Sequence, residues 1–183
     1  KDEEHIQLKN YCKKKKINFL SSPFSLERAE FLCEKLKLQE VKVASCKMTN
    51  FKLLRYLNKK TKKVFLSTGM SNIKEINQSI KHLGNTEVVI MHCVSEYPLK
   101  SQNSNLLAIQ KLKKEFPKFS IGYSDHYIGN LAVEIESRGK PSGIRVTTAH
   151  YWSFILWEKD VETPSIILIP TDKLKIFVEF YLE

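Results

Sequence analysis

The sequence predicts an α/β fold of the (β/α)8-barrel kind, on three observations. Short β-branched or apolar runs alternate with amphipathic segments, those runs end repeatedly in small polar residues, and no glycine-rich phosphate loop occurs. Alternating strands and helices give parallel strands with helices packed outside them. An open sheet of this kind gathers its site at one switch point beside a glycine-rich turn. A barrel builds its site from the C-terminal ends of several strands. The chain has neither G-x-G-x-x-G nor G-x-x-x-x-G-K-[ST], so the barrel is the expected form.

The predicted strands are Ile17–Leu20, Val41–Ala44, Val64–Leu66, Val88–Cys93, Phe119–Tyr123 and Ile144–Thr148. Their polar ends are Ser21-Ser22, Ser45, Ser67-Thr68-Gly69, Ser95, Ser124-Asp125-His126 and His150. Between them, Ile73, Ile76, Ile80 and Leu83 recur at helical spacing, and so do Leu106, Ile109, Leu112 and Phe116. Ser25 and Ser71 stand where N-caps belong, and Gly84-Asn85 makes a helix stop. A closed barrel uses eight strands and about 250 residues. Residues 1–16 therefore read as the tail of a helix whose own strand is missing. The chain, 1–183, is expected to be a single incomplete barrel domain.

At 183 residues the chain can bury one core but not two ordinary domains. Its formal charge of +10 raises the question of a polyanion partner. The lysines are scattered, however, over 13–16, 59–63 and 111–114, with no interleaved aromatic residues for base stacking. They read as solvated helix faces and turns, and no nucleic-acid partner is expected. The longest apolar stretches, Ser165–Pro170 and Val88–Cys93, fall far short of the roughly 20 residues of a membrane helix. The N-terminus lacks the apolar core of a signal peptide. Cys12, Cys33, Cys46 and Cys93 form no C-x-x-C pair. A cytoplasmic protein with reduced thiols and no membrane attachment is the expectation.

Five strand-end motifs then become specific. Phe19-Leu20-Ser21-Ser22-Pro23-Phe24, Lys42-Val43-Ala44-Ser45 and Leu66-Ser67-Thr68-Gly69-Met70 are followed by His92-Cys93-Val94-Ser95-Glu96-Tyr97-Pro98 and Gly122-Tyr123-Ser124-Asp125-His126. In this order they resemble the F-L-S-T-P-F, K-I-[GA]-S, L-S-T-G-M, H-C-x-S-x-Y-P and G-Y-S-D-H motifs of the sialic acid synthases, from about Ile6 to Gly129. The resemblance implies a barrel that condenses phosphoenolpyruvate with an N-acylated amino sugar, N-acetylmannosamine or a related one, and releases phosphate. It also implies a divalent ion, Mn2+ or Mg2+, and a homodimer.

The same resemblance assigns Lys42, Ser45, Ser67 and Ser124 to phosphoenolpyruvate, and Ser95 and Tyr97 to the amino sugar. An anion with a phosphate and a carboxylate needs cations and short donors on rigid elements. Serines at strand–helix junctions also serve as helix caps, and Pro98 alone would explain a turn at Tyr97. Lys42 differs, because a bare charge in an apolar strand is costly. His126 and His150 are the candidate metal ligands, with Asp125 placed to orient a ligand histidine.

Three departures stand out. Lys47 and Thr148 occupy positions where the family carries glutamate, and threonine cannot act as a general base at neutral pH. The Gly139–Gly143 loop is longer than the family's. After His150 the apolar run Tyr151–Trp157 replaces a polar loop, and residues 151–170 diverge. The first two strands and a C-terminal antifreeze-like domain are absent from the sequence, so the isolated chain is expected to be inactive. A non-catalytic barrel relic that keeps the fold and anion binding is the alternative.

Overall fold

A computed structural model describes residues 2–126 and the strand residues 136–137, 140–141, 151–156 and 165–170. These fall into two compact units, one of residues 1–66 with 72–88, the other of residues 67–71 with those from 89 onward.

The first unit opens with α1 (Asp2–Lys14), whose ends carry Asp2, Glu3 and Glu4 and then Lys13 and Lys14, in the sense that the helix dipole favours. The helix α2 (Leu26–Glu30) starts at Ser25, whose hydroxyl accepts from the Arg28 N–H, and runs into a π-helical turn, Phe31–Lys35. Strand β1 (Glu40–Val43) pairs in parallel with β2 (Lys63–Ser67), placing Lys42 opposite Phe65. Between them lies α3 (Phe51–Lys60), which buries Leu53, Leu54 and Leu57. The helix α4 (Ile73–Leu83) buries Ile76, Ser79 and Leu83. Gly84 ends it at φ +55°, where a side chain is strained, and an added Cβ would also have to displace the Asn58 amide 2.8 Å away.

The second unit is built on β3 (Glu87–His92) and β4 (Ser120–Ser124), parallel with Val89 opposite Ser120, and on the helix α5 (Leu107–Glu115). A short antiparallel pair, β5 (Glu136–Ser137) with β6 (Lys140–Pro141), follows. Next, β7 (Tyr151–Leu156) runs parallel to β4, Ser153 facing Ser124, and pairs antiparallel with β8 (Ser165–Pro170).

The alternation of parallel strands and helices is the barrel pattern that the sequence predicts. Three details differ. Ile17–Leu20 is not a strand: the Lys42 N–H reaches the Ser21 carbonyl, but no ladder forms and Ile17 is exposed. The α4 cap is Asn72 rather than Ser71. Asn72 and Glu75 close a reciprocal capping box at 3.0 and 2.9 Å, while the Ser71 hydroxyl donates to the Gly69 carbonyl. The strand beside β4 is 151–156, whose aromatic and β-branched residues favour extended pairing over a loop. The predicted strand Ile144–Thr148 lies outside the described residues. No helix among the described residues is long and apolar enough to cross a membrane.

Candidate active site

In the second unit the strand ends carry the predicted site residues. Ser67 ends β2 and Ser124 ends β4, both buried, and Ser95 lies three residues beyond β3. The Thr68 N–H and Oγ1 each donate to the Met91 carbonyl at 3.0 Å, which ties the Ser67-Thr68 turn to β3. The hydroxyl oxygens of Ser67, Ser95 and Ser124 are buried and have no hydrogen-bond partner among the described residues. A buried hydroxyl without a partner costs about 1–3 kcal/mol. None of the three acts as a helix cap.

His126 is buried, and its imidazole is fixed by the main chain. Its Nδ1 lies 2.8 Å from the Val94 carbonyl, and a carbonyl can only accept, so Nδ1 carries the proton. In the neutral ring Nε2 is then a lone pair, the arrangement that metal-ligating histidines use. This nitrogen faces the Tyr97 hydroxyl at 3.4 Å, and the two rings stack with centroids 4.2 Å apart. The Leu99 N–H donates to the His126 carbonyl. The loop carrying Tyr97 is therefore fastened to His126 on both sides.

Asp125 is also buried, and it accepts the Tyr123 hydroxyl at 3.0 Å. The main-chain carbonyl of Val94 holds the His126 ring at Nδ1. Burial, reinforced by the Asp125 charge, holds the Tyr123 phenol well above its ordinary range, so it remains a donor. His92 packs its ring on Tyr123, with centroids 5.7 Å apart, and its Nε2 donates to the Ser104 carbonyl at 2.9 Å. Burial lowers the His92 pKa, and the Ser104 bond only partly opposes this. Sequence reasoning missed these two groups as a pair, although both stand inside the quoted motifs. Asn103 donates to Glu96 at 2.9 Å beside Tyr97.

In the first unit Lys42 is buried on β1, and the half-buried Ser45 opens a 3-10 turn, Ser45–Lys47. Lys47 lies 6.0 Å from the centre of the Phe24 ring, a cation–π distance. His150 and Thr148 lie outside the described residues. Among the described residues no three His, Cys, Asp or Glu side chains are grouped to hold an ion. The lone pair of His126 fits one position of a metal site.

Comparison with known proteins decides the family. The NeuB family model matches residues 1–140. The chain belongs to the NeuB family. It is 40% identical over 130 residues to the N,N'-diacetyllegionaminic acid synthase of Campylobacter jejuni, covering 68% of this chain and 38% of that one. The sialic acid synthetase structure from Leptospira borgpetersenii aligns with a TM-score of 0.66 at 34% identity, over 70% of this chain and 45% of that one. The DAHP synthase of Thermotoga maritima aligns at 0.56 with 17% identity, over 67% and 37%, and shows the shared fold alone. The chain thus carries part of an α/β barrel of this family and spans less than half the length of these relatives.

Proposed function

We propose that this chain supplies the phosphoenolpyruvate and aldehyde-binding side of a nonulosonic acid synthase. The acceptor is an N-acylated amino sugar, N-acetylmannosamine or a related one, and the enzyme works as a homodimer. The observation that carries the reading is the set of three buried serine hydroxyls without partners among the described residues, Ser67, Ser95 and Ser124. Each offers one donor and two acceptor sites to a ligand rich in oxygen.

In this reading the carboxylate and phosphate of phosphoenolpyruvate take hydrogen bonds from Ser45, Ser67 and Ser124, and Lys42 neutralises charge. Ser95 and Tyr97 hold hydroxyls of the sugar. The vinyl carbon forms a bond to the aldehyde carbon, water adds to the resulting cationic centre, and phosphate departs. A divalent ion, Mn2+ or Mg2+, held by His126 and His150 would polarise the aldehyde as a Lewis acid. For its part, the Val94 carbonyl keeps His126 in the one tautomer that offers Nε2. Burial of the phenol keeps Tyr123 protonated on Asp125, which fixes that carboxylate beside the ligand histidine.

Thr148 and Lys47, at positions of family glutamates, favour a second reading in which the barrel binds the anion without turning it over. Calorimetry with phosphoenolpyruvate and a phosphate-release assay with Mn2+ and N-acetylmannosamine separate the two. Binding with release supports synthesis, and binding without release supports the relic. Absence of phosphoenolpyruvate binding, or binding that Ser124→Ala leaves unchanged, sinks both.

A further inference from the structure

Residues 93–106 join β3 to α5, and the only regular turn within them is the short 3-10 helix Ser101–Asn103. Ser67 and Ser124 take their places from the strands β2 and β4, whereas Ser95 takes its place from this loop. Ordering an irregular loop costs conformational entropy at every residue. A ligand that had to order it on arrival would bind more weakly than one that found it already in place.

His92 is the last residue of β3, it is buried, and it pairs in register with Tyr123 of β4. The two rings lie 5.7 Å apart and 19° from parallel, so the sheet itself aims the imidazole. Its Nε2–H donates to the Ser104 carbonyl at 2.9 Å, at the far end of the loop. Burial disfavours the charged ring, which keeps the one proton on the bonded nitrogen. The chain turns at this point, since the next residue, Asn105, has φ +48°, a left-handed conformation that asparagine tolerates. Inside this closure Asn103 donates to Glu96 at 2.9 Å, next to Ser95. The Glu96–Asn103 bond is exposed and competes with water, whereas the His92 ring is buried, so His92 is the stronger tie of the two.

We propose that His92 is a positioning residue for the amino sugar: its bond to the Ser104 carbonyl closes the β3–α5 loop at the base and holds Ser95 in place before the sugar arrives. This rests on the reading of Ser95 as a sugar contact and adds to it the group that sets the loop. His92 touches neither ligand. Its action is on the acceptor side alone, because Ser67 and Ser124 are carried by strands that do not depend on the loop.

The test is calorimetry on the full chain with no divalent ion added, first with phosphoenolpyruvate and then with N-acetylmannosamine on the phosphoenolpyruvate-loaded chain. His92→Phe keeps a ring to stack on Tyr123 and removes the donor. It is expected to weaken N-acetylmannosamine about two- to tenfold, the factor of one net hydrogen bond, and to leave phosphoenolpyruvate affinity as in the parent. Hydrogen exchange at the amides of residues 93–106 should quicken in the same variant. His92→Gln, which keeps a donor toward Ser104, is expected to restore both the sugar affinity and the protection. A role in packing alone would weaken the two ligands together and would not be rescued by glutamine. Equal weakening of both ligands, no rescue by His92→Gln, or unchanged sugar affinity in His92→Phe therefore overturns the proposal. Ser95→Ala is the separate check on the underlying reading. If Ser95→Ala weakens the sugar while His92→Phe does not, the role of His92 falls and the sugar contact stands. If the parent binds no N-acetylmannosamine, or Ser95→Ala leaves its affinity unchanged, the sugar contact fails and the positioning role with it.

Discussion

Ser79 and Ser124 are both 0% exposed, and they live in opposite circumstances. On α4 the Ser79 hydroxyl lies 2.9 Å from the Met48 carbonyl and 2.9 Å from the Glu75 carbonyl. Its neighbourhood is equally complete: Thr61 bonds the Leu57 carbonyl, and Thr86 bonds Asn58. Ser124 at the end of β4 has no partner among the described residues, nor do Ser67 and Ser95. One residue type at one depth is thus used in two ways. On the helix its hydrogen bonds are completed within the fold, and at the strand ends they are not, which is where the proposed ligand contacts lie. The difference separates residues that hold the barrel together from residues that the barrel holds in place.

Four substitutions can break or sharpen that contrast. Lys42→Met should have the largest effect, on phosphoenolpyruvate binding. Loss of a charge-assisted contact worth about 1.5–3 kcal/mol weakens phosphoenolpyruvate roughly 10- to 150-fold. Calorimetry showing unaltered affinity would remove Lys42 from the site. Ser79→Ala should act on stability alone, by about 1–3 kcal/mol in urea unfolding, because it orphans a buried carbonyl.

The third substitution concerns pH. Burial lowers the His92 pKa in the fold, so the unfolded chain takes up the proton first. The stability from the neutral ring is complete above about pH 6.5, the ordinary histidine value, and is lost as the pH falls toward the lowered folded value. The slope from this one group is at most about 1.4 kcal/mol per pH unit. His92→Gln can keep the donor to Ser104 but cannot titrate. Unfolding followed at several pH values between 5 and 7 should therefore be less steep in the variant, and equal slopes would contradict the assignment.

Ser124→Ala should have the smallest effect on stability, within about 0.5 kcal/mol of the parent, since no hydrogen bond is lost. Its phosphoenolpyruvate affinity should nonetheless drop. A destabilisation as large as that of Ser79→Ala would erase the distinction between the two serines.

The alternating strands and helices and the family were legible in the sequence, from the pattern of apolar runs and from the order of the strand-end motifs. Ser25 as a cap and Gly84 as a stop were legible for local reasons, since each acts within a few residues of itself. What remained hidden was set by distant backbone. The partners of His126 and His92 are the carbonyls of Val94 and Ser104, and main-chain atoms leave no mark on residue type. Ile17–Leu20 has the composition of a strand, but a strand also needs a ladder, and composition does not supply a neighbour. The run 151–156 misled in the other direction. Judged against a family loop it looked misplaced, while its propensity for pairing was plain.

The choice of a peptide carbonyl to hold His126 also bears on how this site can change over generations. An orienting carboxylate can be lost to one codon change, and the histidine would then be free to flip. The Val94 carbonyl is retained whatever side chain stands at position 94, because every amino acid brings the same acceptor. The tautomer of His126 is thereby insulated from point substitution at its partner. Only a change in the path of the loop, through an insertion or deletion between Cys93 and Leu99, can take it away.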